Sequence, residues 1–590
     1  MKRRLHKSER AKNEEIMNDG NEEYTKLNFG VLSAVFFIVI SSIFPLYITR
    51  MGYGFITKEK ADFFIFITIL TTLGVIIALL TTMDTKRPIN YIVQNLLNKR
   101  PIAISELALV AFLLLTLASA IASPWNDFVW NGFTHNGIHG RWEGFWAFLA
   151  YGLAFFIIAR FYQPQRLHFI IFACSAILLT LHAIMQYMSF DILERTGFIL
   201  LEQHQPPLTR MFRTTLGNIN VVSAYSSLTI ILFAVLFAGE NSKWSAFYLV
   251  ASALSFAMLM ITRGYAGQVG VLGAMVLLIP YWLSDRRRLG KILIAISSWC
   301  AVHAINQLYL SFLQNRPEID QPADAADRAF LNAFTPSHPA LFIVLAIVLL
   351  AAGLGLIFAL KKLKWPERPL RIAGLATLGA AVVGGLLFVQ IAGARWENQP
   401  GNIVWQAREI LHGRMGDHFG SARGWVWRNG LSVIRYNPWL GTGPDTFFFA
   451  LGGVQTTSLV EALVHPQVII GLGGLHRDSM ESVGMWFDKA HNTFLQIAVC
   501  KGVPALFVFL IFLGALFIPA IKKAFNQPVL LAFGAAALSF FIQSFFQIDT
   551  PIDRPLIYIV LGVMAVELSR TKDQSVKDCG VDVSDVKETV

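Results

Sequence analysis

Charge is scarce in this chain. Only 15% of its 590 residues are Asp, Glu, Lys or Arg, while 55% are hydrophobic. Mean hydropathy is +0.53. A soluble protein could not bury that much apolar surface, so many segments are expected in lipid. Cysteine is scarcer still. Cys174, Cys300, Cys500 and Cys579 are scattered, and none are paired at a metal-ligand spacing. They point to neither a disulfide framework nor a zinc site. The first residues, MKRRLHKSERAKNEEIMNDGNEE, lack an apolar stretch followed by a small-residue cleavage site. They are expected to be a cytoplasmic tail rather than a cleaved signal peptide.

Apolar runs are abundant. Fourteen apolar segments, most of about 18 to 24 residues, read as transmembrane helices. They lie near 30–48, 63–82, 102–122, 143–159, 167–188, 216–238, 244–262, 266–284, 292–312, 339–360, 372–394, 492–519, 528–547 and 555–569. The fold class is therefore all-α, a polytopic integral membrane protein; a closed β-barrel would show short alternating strands instead. If the N-terminus is inside, the short inner loops carry KRPINYIVQNLLNKR, RFYQPQR, DRRRLGK, KKLKWPERPLR and IKK. Apart from Arg50, Lys58 and Lys60 in the first outer connection, this satisfies the positive-inside rule and puts both ends in the cytoplasm. It also accounts for the +11 net charge without nucleic acid as a partner. The expected organisation is a cytoplasmic tail at 1–27, helices over 28–394, one large extracytoplasmic loop at 395–490, further helices over 491–570, and a second tail at 571–590. Six tryptophans in the large loop read as interfacial side chains, although such rings also stack on sugars.

A few polar residues interrupt the apolar pattern. His491 and Asn492 open the apolar run HNTFLQIAVCKGVPAL. On position alone His491 is an interfacial histidine at a helix mouth. The helix dipole there disfavours imidazolium, so the ring should stay neutral, as a general base must. Arg423, Trp427 and Leu431 follow at i, i+4 and i+8 in SARGWVWRNGLSVIRYNPWLGTGPDTF, on one face of a helix that should stop before Pro438. An amphipathic interfacial helix would look the same. Arg263 stands between two apolar runs in MITRGYAGQ, where it needs water, a headgroup or an anion. Arg213 precedes Asn218 and Asn220 in FRTTLGNINVVSAY, and those amides can also be caps. Arg141 and Glu143 in GRWEGFWAFLAYG fit a local ion pair.

Loop charge alone puts Arg213, Arg263, Arg423 and His491 on the same outer side. Several arginines beside one neutral base suit a phosphorylated lipid substrate. Arg offers a planar fork to a diphosphate, and His can take a proton from an attacking hydroxyl. The outer loops hold no Asp-x-Asp motif, so nothing calls for a metal or other cofactor.

The blocks around His491 and Arg423 resemble the two signature blocks of the O-antigen ligase and O-antigen polymerase-like membrane protein family. FRTTLGNINVVSAY, LMITRGYAGQVG and GRWEGFWAFLAYG resemble three weaker ones, in matching order, and the related region runs over about 245–515. The resemblance implies a GT-C-like, metal-independent, inverting glycosyltransferase. It would use an undecaprenyl-diphosphate-linked glycan on the outer face of the cytoplasmic membrane, with a glycan, glycolipid or glycoprotein as acceptor. By resemblance, His491, Arg423 and Arg263 are catalytic. Arg213, Asn218, Asn220, Arg141, Trp427 and Asn492 are expected to bind substrate. Thr262 stands where the family has Ser.

Two other readings stay open. Many helices with both ends inside also suit a lipid-linked oligosaccharide flippase. A metal-dependent transferase could use Asp127 in SPWNDF if it had an acidic partner.

Overall fold

Backbone N–H and C=O groups in hydrocarbon must be satisfied within the segment, and the apolar runs accordingly fold as helices. The computed structural model describes residues 29–81, 101–132, 141–188, 190–199, 214–262, 264–314, 338–360, 362, 364–395, 403–416, 419–451 and 488–570. The two tails, Arg213, Arg263 and much of the large loop lie outside the described residues.

The main helices are α1 (Phe29–Leu46), α2 (Ile56–Thr81), α3 (Ile104–Ala122), α4 (Phe145–Phe161), α5 (Arg166–Tyr187), α6 (Ile219–Gly239), α7 (Ser245–Thr262) and α8 (Tyr265–Ser284). There follow α9 (Arg286–Gln314), α10 (Pro339–Ala359), α11 (Glu367–Arg395), α12 (Phe419–Tyr436), α13 (Thr493–Lys501), α14 (Val503–Lys523), α15 (Pro528–Gln543) and α16 (Arg554–Ser569). Proline in the first turn starts α10, α14, α15 and α16, where its missing N–H costs nothing.

Among the described residues, eleven helices are long and apolar enough to cross a membrane. The expected fourteen segments all fall on helices, but three are short: α4 has 17 residues, and α15 and α16 have 16 each. At 1.5 Å per residue that is about 24–26 Å, less than a hydrocarbon core of about 30 Å. The twelfth expected segment is also different. It breaks at Gly502, so nine-residue α13 precedes the spanning α14. α6 forms the centre, its hydrophobic window wholly buried, while only 6% of the α11 window is covered.

Contacts sort the helix joins between two ends. At one end Thr215 Oγ1 donates to Pro45 O at 2.7 Å, Ser123 Oγ to Thr442 O at 2.6 Å, and Thr493 N to Ser544 O at 2.9 Å. At the opposite end Arg166 pairs with Glu240 at 2.7 Å, Trp365 Nε1 donates to Leu283 O at 3.0 Å, and Lys523 Nζ donates to Leu568 O at 2.7 Å. Arg141, Asn218, Arg423 and His491 all belong to the first end.

Candidate active site

α12 ends at Tyr436, as Pro438 requires. The chain then wraps the break between α13 and α14. Thr442 N donates to Val499 O at 3.0 Å, Gly443 N to Cys500 O at 2.8 Å, and Val503 N to Pro438 O at 2.8 Å. Two glycines permit this. Gly441 has φ +65° and Gly502 has φ +88°. A Cβ on Gly502 would stand 2.1 Å from Trp439 O. Gly502→Ala should therefore lose at least the roughly 1–3 kcal/mol of a strained residue, read as a lower unfolding temperature in detergent. An unchanged unfolding temperature would contradict this packing.

Arg423 sits in the first turns of α12, its Nη1 donating to Gly420 O at 2.5 Å. Its Nε is buried with no hydrogen-bond partner among the described residues. Burial pulls its pKa below the ordinary value, so the cation is under-solvated and ready to accept an anion. One turn on, Trp427 Nε1 donates to Ala490 O at 3.0 Å, and its ring lies 5.8 Å from Phe419 and 6.2 Å from Phe546. The expected stripe holds for Arg423 and Trp427. Leu431, however, is 55% exposed, and the helix buries Trp425, Val426 and Val433 instead.

His491 directly precedes the cap of α13. Asn492 is that cap, accepting from Leu495 N at 3.0 Å. His491 has φ +50°, which is left-handed backbone on a residue with a Cβ. Its neighbours fix it there: Ala490 N donates to Gln496 Oε1 at 2.8 Å, and Ala490 O takes the Trp427 bond. The imidazole pKa is lowered to about 4. Burial is the largest cause, the Arg423 and Arg141 charges add to it, and Asp488 opposes it. The ring is therefore neutral at pH 7, for a different main reason from the helix dipole that the sequence pointed to.

The other expected site residues separate into two groups. Arg141 is joined to the site: its Nε pairs with Asp488, and its backbone N donates to Asp445 Oδ2 at 2.7 Å. The expected local pair with Glu143 is not formed. Glu143 instead meets Lys489 at 2.7 Å and Arg554 at 2.8 Å. Asn218 caps α6, accepting from Asn220 N at 2.8 Å, and Asn220 O accepts from Gln547 Nε2. Their described bonds are structural. Asp127 is exposed, and no three His, Cys, Asp or Glu side chains converge among the described residues.

Sequence reading missed a buried ionic network under the site. Lys489 also meets Asp445 at 2.5 Å, Arg554 meets Asp549 at 2.8 Å, and Asp549 accepts from Thr493 Oγ1. Burial opposes the Lys489 charge, but Asp445 and Glu143 outweigh it and hold the ammonium above its ordinary pKa. The available signal was charge inside an apolar stretch, in SFFQIDTPIDRPLIY.

No curated protein matches the chain. Residues 341–510 match the O-antigen ligase family. The segment contains Arg423, Trp427, Asp445, Lys489 and His491. The weaker blocks, with Arg141, Arg213, Asn218, Asn220 and Arg263, precede it. The resemblance read from the sequence is thus borne out over one segment: residues 341–510 of this multi-pass membrane protein are similar to the O-antigen ligase family.

Proposed function

We propose that the protein transfers or polymerises a glycan from an undecaprenyl-diphosphate-linked donor onto an acceptor hydroxyl. The work is done at the outer face of the cytoplasmic membrane, in cell-surface polysaccharide synthesis, by a GT-C-like, metal-independent enzyme. The observation that carries the reading is a half-buried, neutral His491 within the field of an under-partnered Arg423, both inside the segment similar to the O-antigen ligase family.

The step is one displacement with inversion. The acceptor oxygen attacks the anomeric carbon and gives its proton to neutral His491. The bond between that carbon and the diphosphate oxygen breaks, and undecaprenyl diphosphate leaves. Arg423 neutralises the charge that develops on it, which in a water-poor site is a large part of catalysis. Arg263 and Arg213 are assigned to the same diphosphate. Arg141 and Asn492 flank the base, and Asn218 and Asn220 shape the mouth of α6. Trp427 offers a ring face to a sugar.

A flippase would place its charges near the midplane. Here Arg141, Arg423 and His491 share one end of the bundle. The glycan profile of a deletion strain tests the function. Loss of long chains with single units retained means a polymerase, and free unattached chains mean a ligase. An unchanged profile contradicts both.

Orientation and pH dependence can be checked separately. In a variant whose own cysteines are replaced, an impermeant reagent applied from outside should label Trp439→Cys and not Arg287→Cys; both positions are exposed. The reverse pattern contradicts an outward-facing site. A base with a pKa of about 4 keeps kcat/KM flat from pH 7 to well below 6, with the acid limb centred near 4. A limb near the ordinary 6.5 would mean that the working imidazole is solvated.

A further inference from the structure

The buried ions around His491 form a closed path. Lys489, two residues before the base, is 2% exposed and bridges Glu143 at 2.7 Å and Asp445 at 2.5 Å. Glu143 lies just ahead of α4, and Asp445 in the turn after α12. Glu143 also binds Arg554 Nε at 2.8 Å, and Arg554 Nη2 binds Asp549 at 2.8 Å. Asp549 then accepts from Thr493 Oγ1, two residues after the base. The path leaves the backbone on one side of His491 and returns on the other.

A left-handed non-glycine residue costs about 1–3 kcal/mol and persists only where its surroundings over-determine it. Buried ion pairs are poor sources of net stability, because desolvation offsets most of the attraction. They do fix geometry: Lys489 cannot move without leaving buried Asp445 without its cation and Glu143 with Arg554 alone.

We propose that Lys489 is a positioning residue, whose double ion pair to Glu143 and Asp445 holds His491 in register with Arg423. The inference rests on the reading of His491 as the base. It also gives the matched segment a fixed seat on the bundle, because Glu143 and Arg554 lie outside 341–510.

A plain scaffold role makes a different prediction. If the ions only stabilise the loop, their loss lowers folding yield but leaves the remaining folded enzyme with an ordinary pH profile. If they position the base, the ring shifts in the folded enzyme and gains water. The charges facing it are Arg423 and Arg141, which lower its pKa, and Asp488, which raises it. Solvation moves it up from about 4 toward the free value.

The experiment compares purified wild type, Lys489→Met and the double variant Lys489→Met with Asp445→Asn. The donor is an undecaprenyl-diphosphate-linked oligosaccharide and the acceptor a saccharide. The double variant removes one carboxylate left without its partner, so it serves if the single variant does not fold. The expected result is a fall in kcat of about 10- to 100-fold, with donor KM changed less. The acid limb should move up by more than one pH unit in the same protein. Wild-type kcat, or a lower kcat with the acid limb unmoved, overturns the inference. His491→Ala in the same assay separates the two claims: if it keeps full transfer, the base assignment has failed, and not merely the positioning role.

Discussion

His491→Ala should lower transfer by about 10²–10⁴-fold, the range typical of losing a general base, while the protein still folds. Two observations set the size of the effect. The ring is half-buried and neutral, so it is ready to accept a proton at pH 7. Its backbone is held left-handed by bonds that do not involve the imidazole, namely those of Ala490, Asn492 and Thr493. Removing the ring therefore leaves the α13 cap and the ionic path in place. The variant should match wild type in yield and unfolding temperature and differ in rate. Near-normal transfer would return His491 to a structural role at the helix cap.

Arg423→Lys should lose most of the activity although it keeps the charge. Removing one donor to a developing anion costs about 10²–10³-fold in kcat, and Arg423→Ala should fall in that range. Lysine restores a point charge but not the planar fork that meets two phosphate oxygens. Neither change should unfold the protein, since the only described hydrogen bond of the guanidinium is to Gly420 O. If Arg423→Lys matches wild type while Arg423→Ala does not, Arg423 acts through charge alone.

The helices and the position of Arg423 and His491 at one end of the bundle were legible because each depends on local chemistry. Apolar length marks a span, Pro438 marks the end of α12, and a polar residue at the mouth of an apolar run stands out. The ionic network was hidden because its partners are far apart in sequence. Glu143 and Lys489 are separated by 346 positions. Proximity in sequence suggested a pair between Arg141 and Glu143, whereas the fold gives Arg141 to Asp488 and Glu143 to Lys489 and Arg554. The break between α13 and α14 had a local mark in CKGVP, but an apolar run on both sides of the glycine concealed it. The three short helices look like full spans in the sequence because composition reports hydrophobicity and not where the helix itself stops: α15 ends at Gln543 although the apolar segment runs on to 547.

The proposed activity moves a glycan between molecules rather than a lipid between leaflets. The most direct test uses the purified protein in detergent, where no leaflets exist. It is given an undecaprenyl-diphosphate-linked oligosaccharide and an acceptor, and the products are followed by mass spectrometry. Glycosylated acceptor and released undecaprenyl diphosphate should appear together in equal amounts, and neither should form with His491→Ala. Intact donor and acceptor in detergent, with donor crossing the bilayer once the same protein is in vesicles, would contradict the account and make the protein a flippase.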